Sequence, residues 1–192
     1  TVTATDAEDD EVTFSVSGSE LVITSAGILT FVEAPDYETK SSYSATVTAS
    51  DGVNNSTQDI SVTINNLNDN SPEFTSSATF SAAENQTAIG ATTATDADGD
   101  TLTYSISGSA ITINSSSGVI AFTSAPDYET QTSYTATISA SDGVNTTTQA
   151  ITVNVTNVND NSPEFTTSAT FSAAENQTAI GTVIATDVDG DE

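Results

Sequence analysis

The chain has 192 residues, of which 27 are Asp or Glu and only one, Lys40, is basic, so its formal net charge is −26. Nucleic acids and anionic membranes are therefore implausible partners, because both are bound through Lys and Arg. The chain contains no Cys and no His, which excludes a disulfide framework and removes the usual catalytic nucleophiles and bases. We therefore expect a protein that is not an enzyme. No apolar run approaches the length of a membrane span, so no membrane insertion is expected in this segment.

β-Strands are predicted along the whole chain, because apolar residues alternate with Thr and Ser at a period of two. Before residue 70, strands are expected around Val12–Val16, Tyr43–Ala49 and Ile60–Ile64. After it, seven are expected, around Ala78–Ala83, Ala88–Thr95, Leu102–Ile106, Ile111–Ile113, Val119–Phe122, Tyr134–Ala140 and Ile151–Val155. Seven short alternating strands in one segment predict an all-β fold, a Greek-key β-sandwich.

The sequence repeats itself every 91 residues. The string NDNSPEF occurs at Asn68–Phe74 and again at Asn159–Phe165, and residues 71–100 match residues 162–191 at 25 of 30 positions. We interpret residues 1–70 as a repeat that lacks its first strands, 71–161 as a complete repeat and 162–192 as the first strands of a further one. Either the chain is a piece of a longer array, or the last segment of one molecule completes the first repeat of the next by strand donation.

The repeated NDNSP string is predicted to be a rigid connector between two sandwiches. Three consecutive side chains carry an oxygen acceptor, and the proline removes a backbone donor and biases the residue before it to an extended conformation. Such a density of oxygen ligands suits a hard cation.

Five motifs in the same order resemble those of cadherin repeats. They are the Glu of AEN, the ATDAD turn, the PDYE segment, the SDG turn and the NDN linker, and they cover essentially the whole chain. The resemblance implies tandem β-sandwiches joined by calcium-binding linkers, with about three Ca²⁺ ions at each complete junction. The scarcity of Lys and Arg, together with the absence of Cys and Met, further resembles giant prokaryotic surface adhesins.

The resemblance also implies a set of metal ligands. At the first linker these are Asp36, Glu38, Leu67, Asn68, Asp69, Asn70, Glu84, Asp96, Asp98 and Asp142, with Leu67 and Asn70 acting through their carbonyl groups. At the second linker they are Asp127, Glu129, Val158, Asn159, Asp160, Asn161, Glu175, Asp187 and Asp189. A junction upstream would use Asp6, Glu8 and Asp51. Asn66 and Asn157 stand where the family usually has Asp, and we expect them to form hydrogen bonds.

Electrostatics independently favours a metal. Seven carboxylates at the first linker would repel one another, and three divalent cations would leave a balance of only −1. The alternative is that the Asp and Asn side chains stabilise turns through local hydrogen bonds. An EF-hand starting at Asp96 is rejected, because Thr101 and Ser107 stand where Gly and Glu are required.

The sequence therefore predicts an extracellular, calcium-rigidified array that forms the stalk of an adhesin or the shaft of a filament. Its partners would be calcium ions, neighbouring repeats and possibly other copies of the same chain. Two alternatives stay open: a recognition module that binds carbohydrate or protein, and homophilic adhesion between cells or within a biofilm.

Overall fold

The computed structural model describes residues 1–190, which fall into two compact units. Unit 1 is Thr1–Asp69, and unit 2 begins at Asn70 and includes the described residues after 161. Throughout residues 1–190 the regular elements are β-strands, and no helix is long and apolar enough to cross a membrane. The predicted all-β class is confirmed. The last two residues of the predicted segment 162–192 lie outside the described range.

Unit 1 contains two small antiparallel arrangements. Its strands are β1 (Thr13–Val16), β2 (Leu21–Ile23), β3 (Leu29–Phe31), β4 (Ser42–Ser50) and β5 (Asn55–Thr63). Strands β1, β4 and β5 form a sheet in that order, and β2 pairs with β3 as a separate hairpin. The buried hydrophobic residues of unit 1 are Leu21 on β2 and Val47 on β4.

Unit 2 contains the predicted sandwich in full. Its strands are β6 (Glu73–Phe74), β7 (Thr79–Ala83), β8 (Ala88–Ala91), β9 (Ala94–Thr95), β10 (Thr103–Ser107), β11 (Ile111–Ile113), β12 (Val119–Phe122), β13 (Ser133–Ser141), β14 (Thr146–Thr156), β15 (Glu164–Phe165) and β16 (Ala185–Thr186). One sheet has the order β10-β13-β14-β7 and the other has the order β11-β12-β8. These correspond to the seven strands expected from the alternation, except that the predicted strand Ala88–Thr95 is divided into β8 and β9, and β9 pairs with β6 instead.

The core of unit 2 lies between these two sheets. Ile120 and Phe122 on β12 pack in one cluster with Ile138 on β13 and Val153 on β14, and each of them is at most 3% exposed. Burying a side chain of this kind contributes roughly 1.5–3 kcal/mol. The Thr and Ser residues between them face outward, as a period of two requires.

Strand β7 runs parallel to β14, from Thr79 beside Thr152 to Ala83 beside Thr156. Because a strand rises roughly 3.3 Å per residue, the two ends of the 11-residue strand β14 lie about 33 Å apart. The SDG turn before β14 is therefore at one end of unit 2, while the residue after Ala83 is at the other. This placement decides which acidic residues can share an ion.

The end of the NDNSPEF string also forms part of the β-structure. In both copies its last two residues form a short strand, since Glu73 pairs with Thr95 in β9 and Glu164 pairs with Thr186 in β16. The alternation did not predict these pairs because two residues are too few to show a period. They hold the acidic turn after β9 or β16 against the linker.

Candidate metal centre

Glu84 is the most deeply buried acidic residue among the described residues of unit 2, with 3% of its surface exposed. It follows β7 directly, and its carboxylate accepts hydrogen bonds from the backbone N–H groups of Tyr128 and Val158, each at 2.7 Å. These two charge-assisted bonds offset part of the cost of removing a carboxylate from water. They also fix the side chain between the PDYE segment and the second linker.

Four carboxylates converge at this end of unit 2. One oxygen from each of Glu84, Glu129, Asp160 and Asp189 lies within 4.8 Å of the others. The single basic residue of the chain, Lys40, belongs to unit 1, where it pairs with Glu20 at 2.6 Å. The four negative charges of this carboxylate group therefore have no basic side chain within unit 2 to offset their repulsion.

Among these four carboxylates, Glu129 has the surroundings that best fit a bound cation. Its Oε1 atom is buried and accepts no hydrogen bond from the described residues, while its Oε2 accepts a long bond of 3.4 Å from Asn161. Desolvation raises the pKa of Glu129 above its ordinary value, and the nearby charges of Glu84 and Asp189 raise it further. A buried carboxylate oxygen normally accepts a hydrogen bond. One that has no donor and lies among other carboxylates is suited to bind Ca²⁺.

Asp189 is locked to the linker by hydrogen bonds. Its Oδ2 accepts from the Asn161 amide N–H at 2.8 Å and its Oδ1 accepts from the Asn161 side chain at 3.0 Å. The side-chain bond from Asn161 is the main reason that the pKa of Asp189 lies below its ordinary value. Asn157 donates to the carbonyl of Asp189 at 2.8 Å, so the expectation that this position forms a hydrogen bond is confirmed.

The other members predicted for the second linker are less closely involved. Asp187 accepts from the Asp189 amide at 2.9 Å, which shapes the turn between them. Asp127 accepts from the Thr130 hydroxyl at 2.7 Å, and this bond is the main cause of its lowered pKa. Both residues therefore form turns, and their role as metal ligands stays a prediction. Val158 contributes its N–H to Glu84, and Asn159 is an exposed linker residue.

The opposite end of unit 2 shows the same linker geometry. Asn70 donates to Asp98 through both its backbone and its side chain, at 2.8 and 2.9 Å, and the carbonyl of Asn70 accepts from Asn145 at 2.8 Å. Asp142 accepts from the Asn145 amide at 2.6 Å. Asp96 has a buried Oδ2 atom without a hydrogen bond from the described residues. The turn that carries Asp96 and Asp98 and the turn that carries Asp142 thus both contact Asn70.

In unit 1, the residues predicted for an upstream junction also come together. Asp6, Glu8 and Asp51 line one open cleft of about 230 Å³. Asp6 accepts from the Glu8 amide at 2.8 Å, and Asp51 accepts from the amide of Asn54 at 2.6 Å. Asp36, like Asp127, caps the turn of its PDYE segment by accepting from Thr39 at 2.9 Å.

One grouping made from the sequence is wrong. Glu84 was placed with Asp96, Asp98 and Asp142, but it lies in the carboxylate group with Glu129, at the other end of strand β14. The reason is that β7 runs parallel to the last five residues of β14, so Glu84, which follows β7, lies at the end of β14 where the second linker begins. Placing Glu84 correctly requires the parallel pairing of β7 with β14, and no local sequence signal indicates that pairing.

The same reasoning corrects Glu175. It was predicted to belong to the second linker, yet it is exposed and is not a member of the acidic groups found among residues 1–190. Its sequence equivalent is Glu84, which lies next to the linker that follows its own sandwich. By this equivalence Glu175 does not belong with the linker that precedes residue 162.

Comparisons with known proteins give one consistent result. Residues 78–156 match the family model of the cadherin domain. The chain is 35% identical over 180 residues to human Protocadherin Fat 1 and 31% identical over 193 residues to the Drosophila melanogaster Protocadherin-like wing polarity protein stan. These matches include 81% and 86% of this chain but span only 4% and 5% of those proteins.

Solved structures agree. The extracellular cadherin domains 3-6 of Protocadherin Gamma B2 align with a TM-score of 0.80 at 25% identity, over 95% of this chain and 52% of that one. Mouse Cadherin-23 EC22-24 aligns with a TM-score of 0.69 at 28% identity, over 93% of this chain and 65% of that one. The match over nearly the full length of this chain confirms tandem sandwiches of this type.

Proposed function

The chain belongs to the cadherin family, and we propose that it is part of a calcium-stiffened array of repeats in the extracellular region of an adhesion protein. In this proposal residues 1–70, 71–161 and 162–192 belong to three successive repeats. The array would serve as the stalk of an adhesin or the shaft of a filament. The finer resemblance to prokaryotic adhesins rests on composition alone.

The carboxylate group of Glu84, Glu129, Asp160 and Asp189 carries this proposal. Its members come from three separate parts of the chain: the sandwich, the linker after it and the turn that begins the next repeat. Oxygen atoms from all three meet within 4.8 Å, which is close enough to share one or more hard cations. The side chains would then connect one repeat to the next.

We assign these residues different tasks. Glu84 is held by two backbone amides, so it forms a fixed wall of the site. Asn161 holds Asp189 against the linker, so the turn of the following repeat is positioned before any ion arrives. Glu129 offers an oxygen that no described group occupies. Bound Ca²⁺ would supply the positive charge that these carboxylates need.

The proposal extends to the remaining predicted ligands by repeat equivalence. Asp69 corresponds to Asp160, Glu38 to Glu129, and Asp98 to Asp189. About three ions at each complete linker remain our expectation. Extracellular modules bind Ca²⁺ with Kd of about 10⁻⁴–10⁻³ M, which extracellular calcium can fill, so an extracellular location is consistent with such sites.

Calcium titration calorimetry tests this function directly. Replacing Glu129→Gln keeps the size of the side chain but removes the charge and one good ligand, so we expect weaker binding by about tenfold or more, equivalent to roughly 1.4 kcal/mol. Glu33→Gln is the matched control, because Glu33 is exposed and lies outside the described acidic groups. Equal calcium isotherms for both variants and the unaltered chain would count against the assignment.

Association between arrays is a second candidate function. The structure of the Protocadherin gammaB7 EC3-6 cis-dimer aligns with a TM-score of 0.80 at 27% identity. This similarity supports a role in which two copies of the array associate side by side, and association between arrays on different cells is the related possibility. Calcium-dependent clustering of beads coated with the chain would support it, and dispersed beads at saturating calcium would argue for a purely mechanical stalk.

A further inference from the structure

Asn85 follows Glu84 and has a left-handed backbone conformation. Its φ is 62°, and among residues 1–190 the other non-glycine residues with a positive φ are Asp9 and Asn176. This conformation is uncommon for a residue with a Cβ atom, although Asn adopts it more readily than most. Because conformations of this kind concentrate at functional sites, the contacts of Asn85 are of functional interest.

The turn at Asn85 is fixed by backbone hydrogen bonds. The Glu84 amide donates to the Thr156 carbonyl at 3.1 Å, and the Asn85 amide donates to the Pro126 carbonyl at 3.0 Å. These bonds attach the residues after β7 both to the end of β14 and to the PDYE segment. Asn176, at the same position in the second AEN motif, has a φ of 63°. The left-handed turn is therefore present in both copies of the motif.

The side chain of Asn85 reaches the second linker. Its Nδ2 atom donates a hydrogen bond to Oδ2 of Asp160, a member of the carboxylate group. The other oxygen of Asp160, Oδ1, accepts from the Asn161 side chain at 2.8 Å. Both oxygens of Asp160 therefore have a donor, one supplied by the sandwich and one by the linker. Carboxylates that bind metal ions are commonly oriented by hydrogen bonds of this kind.

A neutral donor is suited to the position beside Asp160. A Lys or Arg there would neutralise the negative charge that a cation needs, whereas an amide orients the carboxylate and leaves its charge in place. Gly would adopt the positive φ without strain but has no side chain to donate. Asp would tolerate the conformation but would add a like charge next to Asp160. Asn meets both requirements, the backbone conformation and the donor.

Two consecutive residues after β7 thus contact the second linker. The Glu84 carboxylate accepts from the Val158 amide at 2.7 Å, and the Asn85 side chain donates to Asp160. Neither contact involves a metal ion. The linker is therefore attached to the preceding sandwich at two points, two residues apart, by hydrogen bonds alone.

We propose that Asn85 is a positioning residue: its side chain holds Asp160 in the carboxylate group and attaches the second linker to the sandwich before any cation binds. We call the hydrogen bond between Asn85 and Asp160 the latch. Its consequence for calcium rests on the proposed function, in which Asp160 is a ligand. The latch itself goes beyond that function, because it exists without the ion and depends on a neutral residue outside the predicted ligand set.

Hydrogen–deuterium exchange of the whole chain in chelator measures the latch without calcium. Asn85→Asp keeps the size of the side chain and tolerates the left-handed backbone, but it replaces the donor with a carboxylate. We expect the amides of residues 157–161 to exchange about fivefold faster, a factor typical of one lost hydrogen bond. Gln86→Glu is the matched control, because Gln86 is exposed and the change adds the same charge one residue away. Equal exchange in the two variants would overturn the proposal.

A reciprocal exchange of the two residues isolates the hydrogen bond. The double variant Asn85→Asp with Asp160→Asn restores one donor, one acceptor and the original net charge at the same two positions. In chelator, residues 157–161 should then exchange at nearly the rate of the unaltered chain, whereas Asp160→Asn alone should exchange faster. A double variant that exchanges as fast as the faster single variant would contradict the latch.

Calcium titration calorimetry tests the positioning of Asp160. Asn85→Gly removes the donor, adds no charge and suits the positive φ, so the fold should be retained. We expect it to weaken calcium binding about tenfold, as loss of a partner that orients a ligand commonly does. Asn176→Gly is the control, because it makes the same backbone change at a φ of 63° outside the carboxylate group, and it should bind calcium as the unaltered chain does.

The two measurements separate failure of the latch from failure of the calcium function. If the unaltered chain bound no calcium, the proposed function would be wrong, and exchange in chelator would still decide whether the latch exists. If calcium bound equally well to Asn85→Gly and Asn176→Gly, Asn85 would not position a ligand, and the proposal would be overturned while the calcium function stood.

Discussion

At the scale of single residues, one type of side chain performs two different tasks. The carboxylates of Asp36 and Asp127 accept hydrogen bonds from their own turns, whereas Glu129 keeps a buried oxygen for which the described residues supply no donor. Turn residues such as Asp127 have their hydrogen-bonding capacity met by the protein, whereas Glu129 has an oxygen that suits a cation. The sequence does not distinguish these two roles, because Asp127 and Glu129 lie two positions apart in the same PDYE motif.

The pH dependence of stability tests the turn role of Asp127. Its pKa is lowered chiefly by the Thr130 hydroxyl, so this contribution is present above the unfolded-state pKa of about 3.9 and is lost as the pH falls through the folded-state value. Thr130→Val should therefore destabilise the chain at neutral pH, and the difference from the unaltered chain should shrink in acid. Chemical denaturation in chelator at several pH values measures it.

Thr135→Val is the matched control for that series, because Thr135 is exposed in β13 and no acidic partner is recorded for its side chain. It should leave the pH profile unchanged. If Thr130→Val destabilised the chain equally at neutral and acidic pH, the hydrogen bond to Asp127 would not be the cause.

At the scale of elements, the alternation of apolar residues was enough to predict the strands of the two packed sheets of unit 2. The seven strands of the sandwich and their inward-facing residues agree with the period of two, because each sheet buries one face. The parallel pairing of β7 with β14 was not predictable from that pattern, since alternation determines the face of a residue but not its neighbour. Without knowledge of that pairing, Glu84 is assigned to the wrong end of the sandwich.

A glycine fixes the backbone at the start of strand β12. Gly118 has a φ of 68°, its carbonyl accepts from the Thr92 amide at 2.9 Å, and a Cβ atom there would collide with the Thr92 carbonyl oxygen. Gly118→Ala should therefore lower the free energy of unfolding by more than the roughly 1–2 kcal/mol that a left-handed conformation costs. Gly108→Ala, at a φ of 101° with nothing within 4 Å, should cost only the conformational part.

Urea denaturation of the two glycine variants, followed by circular dichroism, compares these costs. The collision at Gly118 predicts that its variant unfolds at clearly lower urea than the Gly108 variant. Equal midpoints would mean that the backbone around Thr92 can move away freely, and that this contact does not fix the sandwich.

At the scale of the whole molecule, each linker is built from groups that need one another. The Asn of the linker holds the acidic turn that follows it, in the same way at Asn70 with Asp98 and at Asn161 with Asp189. The carboxylates near them repel, and the chain has no basic residue in unit 2 to balance them. In our account the linkers are therefore stiff only when calcium supplies the missing charge.

The most direct test of this account is small-angle X-ray scattering of the chain in saturating Ca²⁺ and in chelator, with circular dichroism recorded on the same samples. We predict that chelation changes the scattering from that of a stiff particle to that of a flexible one, while the β-sheet signal is retained. Glu129→Gln should need more calcium to reach the stiff form than Glu33→Gln. An identical scattering profile with and without calcium would contradict the claim that calcium stiffens the array.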